Sequence, residues 1–229
     1  MGKRAVQIVF ILAFLSLSFL VYTANQQAAK PVSTIDGIVS EIKANIIGDE
    51  AMKNNLPDHM EKFQSLRSEN EKKHKTISRF VDYEKLALTA MPPKWQKQFW
   101  LISSNHKQQF IDLLRELIEE IVYPRSRDFF NKHELQYKKS VNRDQGEASD
   151  LFYVIPIKKQ SGQVETIELM FRLRKWGTSW KIYDVRLEDQ LWSDMFKNQF
   201  NHIITTKSYD ALVEKMRQKL KNVRDGVSF

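Results

Sequence analysis

The 229-residue chain has no cysteine, only seven glycines and six prolines. Without cysteine there is no disulfide framework, thiolate metal site, cysteine nucleophile or lipoprotein anchor. The few glycines show no repeated spacing, which leaves little room for phosphate-cradling loops or collagen-like repeats. Five histidines, His59, His74, His106, His133 and His202, never fall in an HExxH or HxH pattern, so zinc-hydrolase chemistry has no motif to rest on. GxSxG and GxxxxGK[ST] are also missing, which removes support for an α/β-hydrolase or an ATPase. What the chain has is charge and apolar bulk. It carries 36 Lys+Arg against 28 Asp+Glu, a formal charge of +8, with 42% hydrophobic, 28% charged and 11% aromatic residues. That balance describes a folded protein, neither disordered nor fibrous, of one domain plus a leader or at most two small domains.

Lys3 and Arg4 are followed by an apolar run from Ala5 to Val21, interrupted only by Gln7, Ser16 and Ser18. A short basic region before an apolar core is a secretory signal pattern. As a helix the run would span about 25 Å, a little short of the ~30 Å hydrocarbon core of a bilayer. Cleavage is expected near Ala24, so residues 1–24 read as a signal peptide; the alternative is retention as an inner-membrane anchor through residues 5–21. Either route exports the remainder, with residues 25–31 as a linker. Loss of Lys3 and Arg4 leaves a charge of +6. Outside the cytoplasm nucleic acid is not an expected partner, whereas anionic lipid head groups and acidic protein surfaces are.

Residues 31 to about 130 read as helices. Val32, Ile35, Val39, Ile42 and Ile46 recur at three- and four-residue steps after Pro31 and Ser33, which serve as start signals. A charged segment runs from Pro57 to Phe80, its apolar face marked only in the first half by Met60, Phe63 and Leu66; Glu69–Lys75 reads as a solvated face. A short helix over Asp82–Met91 is stopped by Pro92-Pro93. The strongest helix signal spans Asn105–Val122, where Phe110, Leu113, Leu114, Leu117, Ile118, Ile121 and Val122 make one stripe and Ser103 or Ser104 can cap. Leu135, Tyr137 and Val141 then alternate with polar residues. Turns at Asp144-Gln145-Gly146, Gln160-Ser161-Gly162 and Trp176-Gly177-Thr178-Ser179 separate strands over Leu151–Ile157, Ile167–Arg174 and Trp180–Leu187, an antiparallel meander. Two amphipathic helices close the chain, one lined by Leu191 to Ile204 and one by Tyr209 to Leu220, the second capped by Ser208. The expected fold is α+β: a four-stranded, curved antiparallel sheet packed with N-terminal and C-terminal helices.

Two features bear on function. Asp184 is an acidic residue inside the apolar strand Trp180–Leu187. It reads either as a carboxylate hydrogen-bonded to nearby backbone or facing solvent, or as the general base of an enzyme built on a cone-shaped α+β fold. Second, Leu151, Tyr153, Ile155 and Ile157 occupy one face of their strand while Phe152 and Val154 occupy the other. A sheet solvated on one side needs a single apolar face. The surplus is explained by helices on both faces or by a sheet wrapped around an apolar ligand.

The segment Trp180-Lys181-Ile182-Tyr183-Asp184-Val185-Arg186-Leu187-Glu188, continuing from Leu191 to Phe200, resembles the signature of the MlaC family, the toluene-tolerance family of periplasmic phospholipid-binding proteins. That signature combines a tryptophan, a basic residue and a Tyr-Asp pair, then Glu-Gly-Val-Ser and a helix with aromatic-basic-x-Gln-Phe, matched here by Phe196-Lys197-Asn198-Gln199-Phe200. Val81-Asp82-Tyr83 with Ala87, Trp95, Phe110 with Leu114 and Tyr123, and Tyr209-Asp210-Ala211-Leu212 with Leu220 resemble further family elements in the same order. Asp189-Gln190-Leu191 stands where the family has Gly-Val-Ser, and Met91-Pro92-Pro93 where it has Leu-Gly. The similar region covers about residues 32–221, leaving 222–229 as a tail.

The resemblance implies a carrier without enzymatic activity and without a cofactor, probing no nucleic acid and acting as a monomer. It would hold phospholipid acyl chains in an apolar cavity, head group outside, and exchange lipid between an outer-membrane lipoprotein–porin complex and an inner-membrane ABC transporter, maintaining outer-membrane lipid asymmetry. Exposing one sixteen-carbon chain to water costs on the order of 12 kcal/mol at ~0.8 kcal/mol per CH₂, so crossing an aqueous compartment requires a protein-lined cavity. The lining expected under this resemblance is Leu151, Tyr153, Ile155, Leu169, Phe171 and Ile182 from the strands, Phe110 and Leu114 from the long helix, and Phe196 and Phe200 from the penultimate helix. Lys158, Lys159, Arg172, Arg174 and Lys175, near strand ends, are expected to meet a phosphate head group or an acidic docking surface.

Overall fold

The computed structural model describes residues 30–53, 60–158 and 162–227. The expected leader, its cleavage site and most of the linker lie outside them, as do Lys159 and the first two residues of the turn expected at Gln160-Ser161-Gly162.

The N-terminal half is helical, as its periodicity requires. Helix α1 (Pro31–Asn45) starts with Pro31 at its first position and buries Ile35, Ile38 and Ile42. Helix α2 (Asp49–Lys53) is a single short turn tied to the body through Asp128, whose carboxylate accepts from the Glu50 N–H at 2.8 Å. Gly48 makes room for this tie: a Cβ there would lie 1.7 Å from the Asp128 carboxylate. Helix α3 (Met60–Ser78) buries Phe63, Asn70, His74 and Ile77. The stretch Glu69–Lys75, expected to be a solvated face, is therefore only partly so. Asn70 and His74 continue the buried stripe of Phe63 at helical spacing, and Asn70 clamps the α1–α2 connection by accepting from Ile47 N–H at 2.7 Å and donating to Ile47 C=O at 3.1 Å. Helix α4 (Tyr83–Ala90) is capped by Asp82, which accepts from the Lys85 N–H, and a short turn α5 (Pro93–Trp95) follows Pro92.

Helix α6 (Ser104–Leu117) is capped by Ser103, one of the two expected caps. It does not stop near Val122. It passes through a π-helical turn at Ile118–Val122 into α7 (Tyr123–Lys132). Pro124 supplies no N–H and crowds the carbonyl four residues back; the π turn, in which Tyr123 N–H bonds to Ile118 C=O, absorbs this within a continuous helical run.

Strands β1 (Gln136–Arg143), β2 (Ala148–Lys158), β3 (Val164–Trp176) and β4 (Ser179–Leu187) form the expected antiparallel meander. A two-residue strand β5 (Gln190–Leu191), where a helix start was expected, makes the sheet five-stranded in the order β1-β2-β3-β4-β5. Gly177 sits at a φ of +61° in the two-residue β3–β4 loop, as a hairpin turn with glycine at its first position requires. The inward faces carry Leu151, Tyr153 and Ile155, Leu169, Phe171 and Leu173, and Trp180 and Ile182, all buried. A bulge after Arg172 places one extra residue, Tyr183, in β4, so that Arg172 faces Asp184 and Leu173 faces Ile182. Phe80 C=O and Asp82 N–H pair with Ile182 at 2.8 and 2.7 Å, and together with β5 they cover the outer edge of β4 against open pairing.

Helices α8 (Trp192–Thr206) and α9 (Tyr209–Arg224) complete the fold, the second capped by Ser208 at 3.0 Å. The last helix runs beyond 221: Val223 is buried, and Arg224 pairs with Glu116 and Glu120. Helix α1 lies across β2 and β4, α8 against α4, and α9 along α6. One contiguous core joins α1, α3, α4, α6, α8, α9 and the inner face of the sheet. Among the described residues no helix is long and apolar enough to cross a membrane.

Candidate functional site

Between the sheet and the helices lies an apolar cavity of about 80 Å³. Its walls come from Ile38, Val39 and Ile42 of α1, Ile118 and Val122 of the π turn, Phe130 of α7, and Phe171, Ile182 and Val185 of the sheet. Val39 and Phe130 also line a second, open space of about 900 Å³ between α1, the end of α7 and Tyr153. The second space is polar where the first is mainly apolar: Asp36, Ser40, Lys43, Asn131, Lys132, His133 and Glu134 surround it. A mainly apolar space thus adjoins an open, charged one, and Val39 and Phe130 line both.

Tyr153 stands in that mouth with its ring in the core and its hydroxyl buried without a hydrogen-bond partner. Burial, with Asp36 and Tyr137 nearby, holds the hydroxyl well above the usual tyrosine range, so it remains a donor at any physiological pH. Buried hydroxyls are rarely left unpaired, and an acceptor on a ligand would complete this one.

The ten expected lining residues separate into three groups. Tyr153, Phe171 and Ile182 line the mouth and the cavity. Leu114, Phe196 and Phe200 face a different space, a groove of about 360 Å³ between α6, α8 and α9. Phe110, Leu151, Ile155 and Leu169 are packed in the core and line none of these spaces. Sequence reading missed the contribution of α1 and α7, Ile38, Val39, Ile42 and Phe130, because an amphipathic stripe shows that a face is buried without saying against what.

The basic residues are mostly occupied. Arg174 Nε donates to the buried Asp82 carboxylate, and its guanidinium lies over the Trp176 ring. Arg172 stands 3.8 Å from Asp150 and 3.9 Å from Asp184, and Lys175 pairs with Glu147 at 2.9 Å. Lys158 is exposed at the end of β2, and Lys159 is outside the described residues. Of the four that are described, none lines the mouth; the cations that do are Lys43 and Lys132, the latter bonded to Glu50 at 2.6 Å.

Asp184 is buried in the cavity wall beside a second polar group, Ser193. Both carboxylate oxygens are taken. One accepts from the N–H groups of Val185 (3.0 Å) and Ser193 (3.1 Å), and the other from Ser193 Oγ at 2.6 Å. A general base needs an oxygen within reach of a substrate proton; this carboxylate instead ties β4 to the first turn of α8.

A second polar cluster underlies the π turn. Ser78 Oγ donates to Glu119 at 2.6 Å, the hydroxyls of Tyr83 and Tyr123 lie 2.5 Å apart, and His74 Nδ1 is 3.7 Å from Glu119. Burial pushes Glu119 and Tyr83 up and holds Tyr123 up at about 12. His74 is held down at about 4, chiefly by burial and further by Arg67 and Arg224 against the opposing pull of Glu71. Its folded value lies below its unfolded one near 6.5. The neutral ring's contribution is therefore complete above pH 6.5 and is lost as pH falls toward 4. From pH 7 to 5 urea denaturation should show a fall in stability of about 2 kcal/mol from this group, which His74→Phe should remove. An unchanged slope in the variant would assign the acid sensitivity elsewhere.

A family model described as MlaC protein matches residues 50–218. No curated protein sequence matches the chain. Among solved structures, the phospholipid-binding protein of Ralstonia solanacearum, determined in complex with a phospholipid, is similar in fold. The TM-score is 0.55 at 18% identity, over 83% of this chain and 94% of that one. Helix α1, which supplies one wall of the cavity, lies before the residues that the family model matches.

Proposed function

The chain belongs to the MlaC family, and from that premise we infer that it is a phospholipid-binding carrier acting in the periplasm, not an enzyme. The acyl chains enter the apolar space between α1, the π turn and the sheet, and the head group stays in the mouth beside Tyr153, Lys43 and Lys132. The observation that carries this reading is the pairing of a mainly apolar cavity with a polar mouth, joined at Val39 and Phe130. The Tyr153 hydroxyl, buried and unpartnered in the wall of the mouth, offers its proton to a phosphate or ester oxygen.

The cavity's 80 Å³ is well under the about 300–1,000 Å³ of typical ligand pockets. Taking up an acyl chain would therefore require α1 and the π turn to move away from the sheet. Without a nucleotide motif, the chain takes any energy for directed exchange from its partners. We assign those partners as an inner-membrane ABC transporter and an outer-membrane lipoprotein–porin complex, with the carrier a monomer between them.

Protein purified from the periplasm, extracted with organic solvent and analysed by mass spectrometry should yield phospholipid in near-stoichiometric amount. Tyr153→Phe removes one hydrogen bond and should speed loss of that lipid to acceptor vesicles by roughly fivefold. A lipid-free extract would overturn the carrier reading. An unchanged transfer rate would remove Tyr153 from the head-group site.

A further inference from the structure

The two edges of the sheet are finished differently. β4 is closed by β5 and by Phe80 and Asp82, whereas β1 has no strand on its far side among the described residues. Seven of its eight residues are exposed, and such an edge presents a row of unpaired N–H and C=O groups. Its side chains carry charge of one sign: Lys138, Lys139 and Arg143, with no carboxylate between Gln136 and Arg143. Arg143 is bonded to Asp150 at 2.6 Å, and Lys139 lies over the Phe152 ring at 5.0 Å. Neither lysine has a carboxylate partner among the described residues. Tyr137 and Val141 of the same strand are 46% and 45% exposed. The strand also starts at the mouth: His133, Glu134 and Leu135 line that space, and the Tyr137 ring meets the Tyr153 ring at 5.6 Å.

We propose that β1 is a docking edge, taking an extended, acidic segment of a partner protein as an added strand. Main-chain hydrogen bonds along the edge supply affinity for an extended chain, and the charge selects which chain. A second copy of β1 brings the same cations, and like charges facing each other across strands repel; edge lysines block self-association in this way. Carboxylates on the incoming strand turn the same side chains into a source of attraction. The edge itself stands without the carrier reading. Its use in lipid hand-over rests on that reading: a segment added to β1 brings its protein beside the mouth, where the head group is held.

The test uses the purified full chain and an end-capped octapeptide of alternating glutamate and valine, with a lysine–valine octapeptide for comparison. In a titration followed by nuclear magnetic resonance, the glutamate peptide should bind and slow hydrogen exchange at the β1 amides that face away from β2. The lysine peptide should do neither. Lys138→Glu with Lys139→Glu should weaken the glutamate peptide about tenfold, because attraction becomes repulsion at both positions, while leaving co-purified phospholipid unchanged. Both lysines are exposed, so the exchange leaves the core intact. A glutamate peptide N-methylated throughout keeps its charge but cannot donate to the edge, and should not bind. Equal binding of the glutamate and lysine peptides, binding without protection of β1, insensitivity to charge reversal, or binding of the N-methylated peptide would each overturn the proposal. A lipid-loaded chain that ignores the glutamate peptide would sink this proposal alone. A lipid-free extract alongside intact peptide binding would sink the carrier reading alone.

Discussion

Asp184→Ala is expected to lower the unfolding free energy by about 3–5 kcal/mol, the range for removing one member of a buried charged network. The side chain has no solvent exposure and accepts three hydrogen bonds, from Val185 N–H, Ser193 N–H and Ser193 Oγ. Alanine leaves the Ser193 N–H and hydroxyl buried at the start of α8 without an acceptor, and each such group costs about 1–3 kcal/mol. It also leaves Arg172 beside Asp150 alone. Asp184→Asn keeps one acceptor oxygen and should lose less. Urea denaturation read by circular dichroism checks both. A loss under 1 kcal/mol in the alanine variant would mean that β4 and α8 are joined by packing alone.

Val39→Trp should reduce co-purified phospholipid to a small fraction of the wild-type amount. Val39 is one of the two side chains shared by the cavity and the mouth, and it is half-buried on α1, so an indole there has open space on the mouth side. The added ring occupies the passage that an acyl chain must take. Mass spectrometry of the extract reads the effect, and the urea midpoint confirms that the variant folds. Wild-type lipid content in a folded variant would place the acyl chains elsewhere, with the α6–α8–α9 groove the first alternative.

Much of this architecture was legible in the chain. The stripe over Asn105–Val122 and the alternation in Ile167–Arg174 are local patterns, and each forces its element because burying that stripe or face requires that geometry. Three elements were harder to read for identifiable reasons. The α6–α7 run continues through Pro124 because a π turn accommodates the missing N–H. Asn70 and His74 are buried within a charged segment because polar residues can complete an apolar stripe: Ile47 satisfies the Asn70 amide, and His74 is buried as a neutral ring whose Nε2 has no hydrogen-bond partner among the described residues. Strand β5 is two residues long and leaves almost no periodic trace.

The candidate site was harder still. Arg172 and Arg174 look like free cations in the sequence; in the fold they meet Asp150, Asp184 and Asp82, carboxylates contributed by other elements.

The sequence by itself determined the class of fold, the order of its elements, the absence of thiol chemistry and the positions of the apolar faces. These follow from composition and from periods of two and 3.6, which depend on near neighbours alone. The tertiary structure decided where those faces meet one another and where they leave space. It divided one set of expected lining residues among a cavity, a groove and the packed core, and it brought α1 and α7 to the site. The physical reason is that an apolar side chain gains similarly from burial against protein or lipid, so its sequence pattern is the same in both cases. Only the relative placement of distant segments distinguishes a filled interior from a pocket.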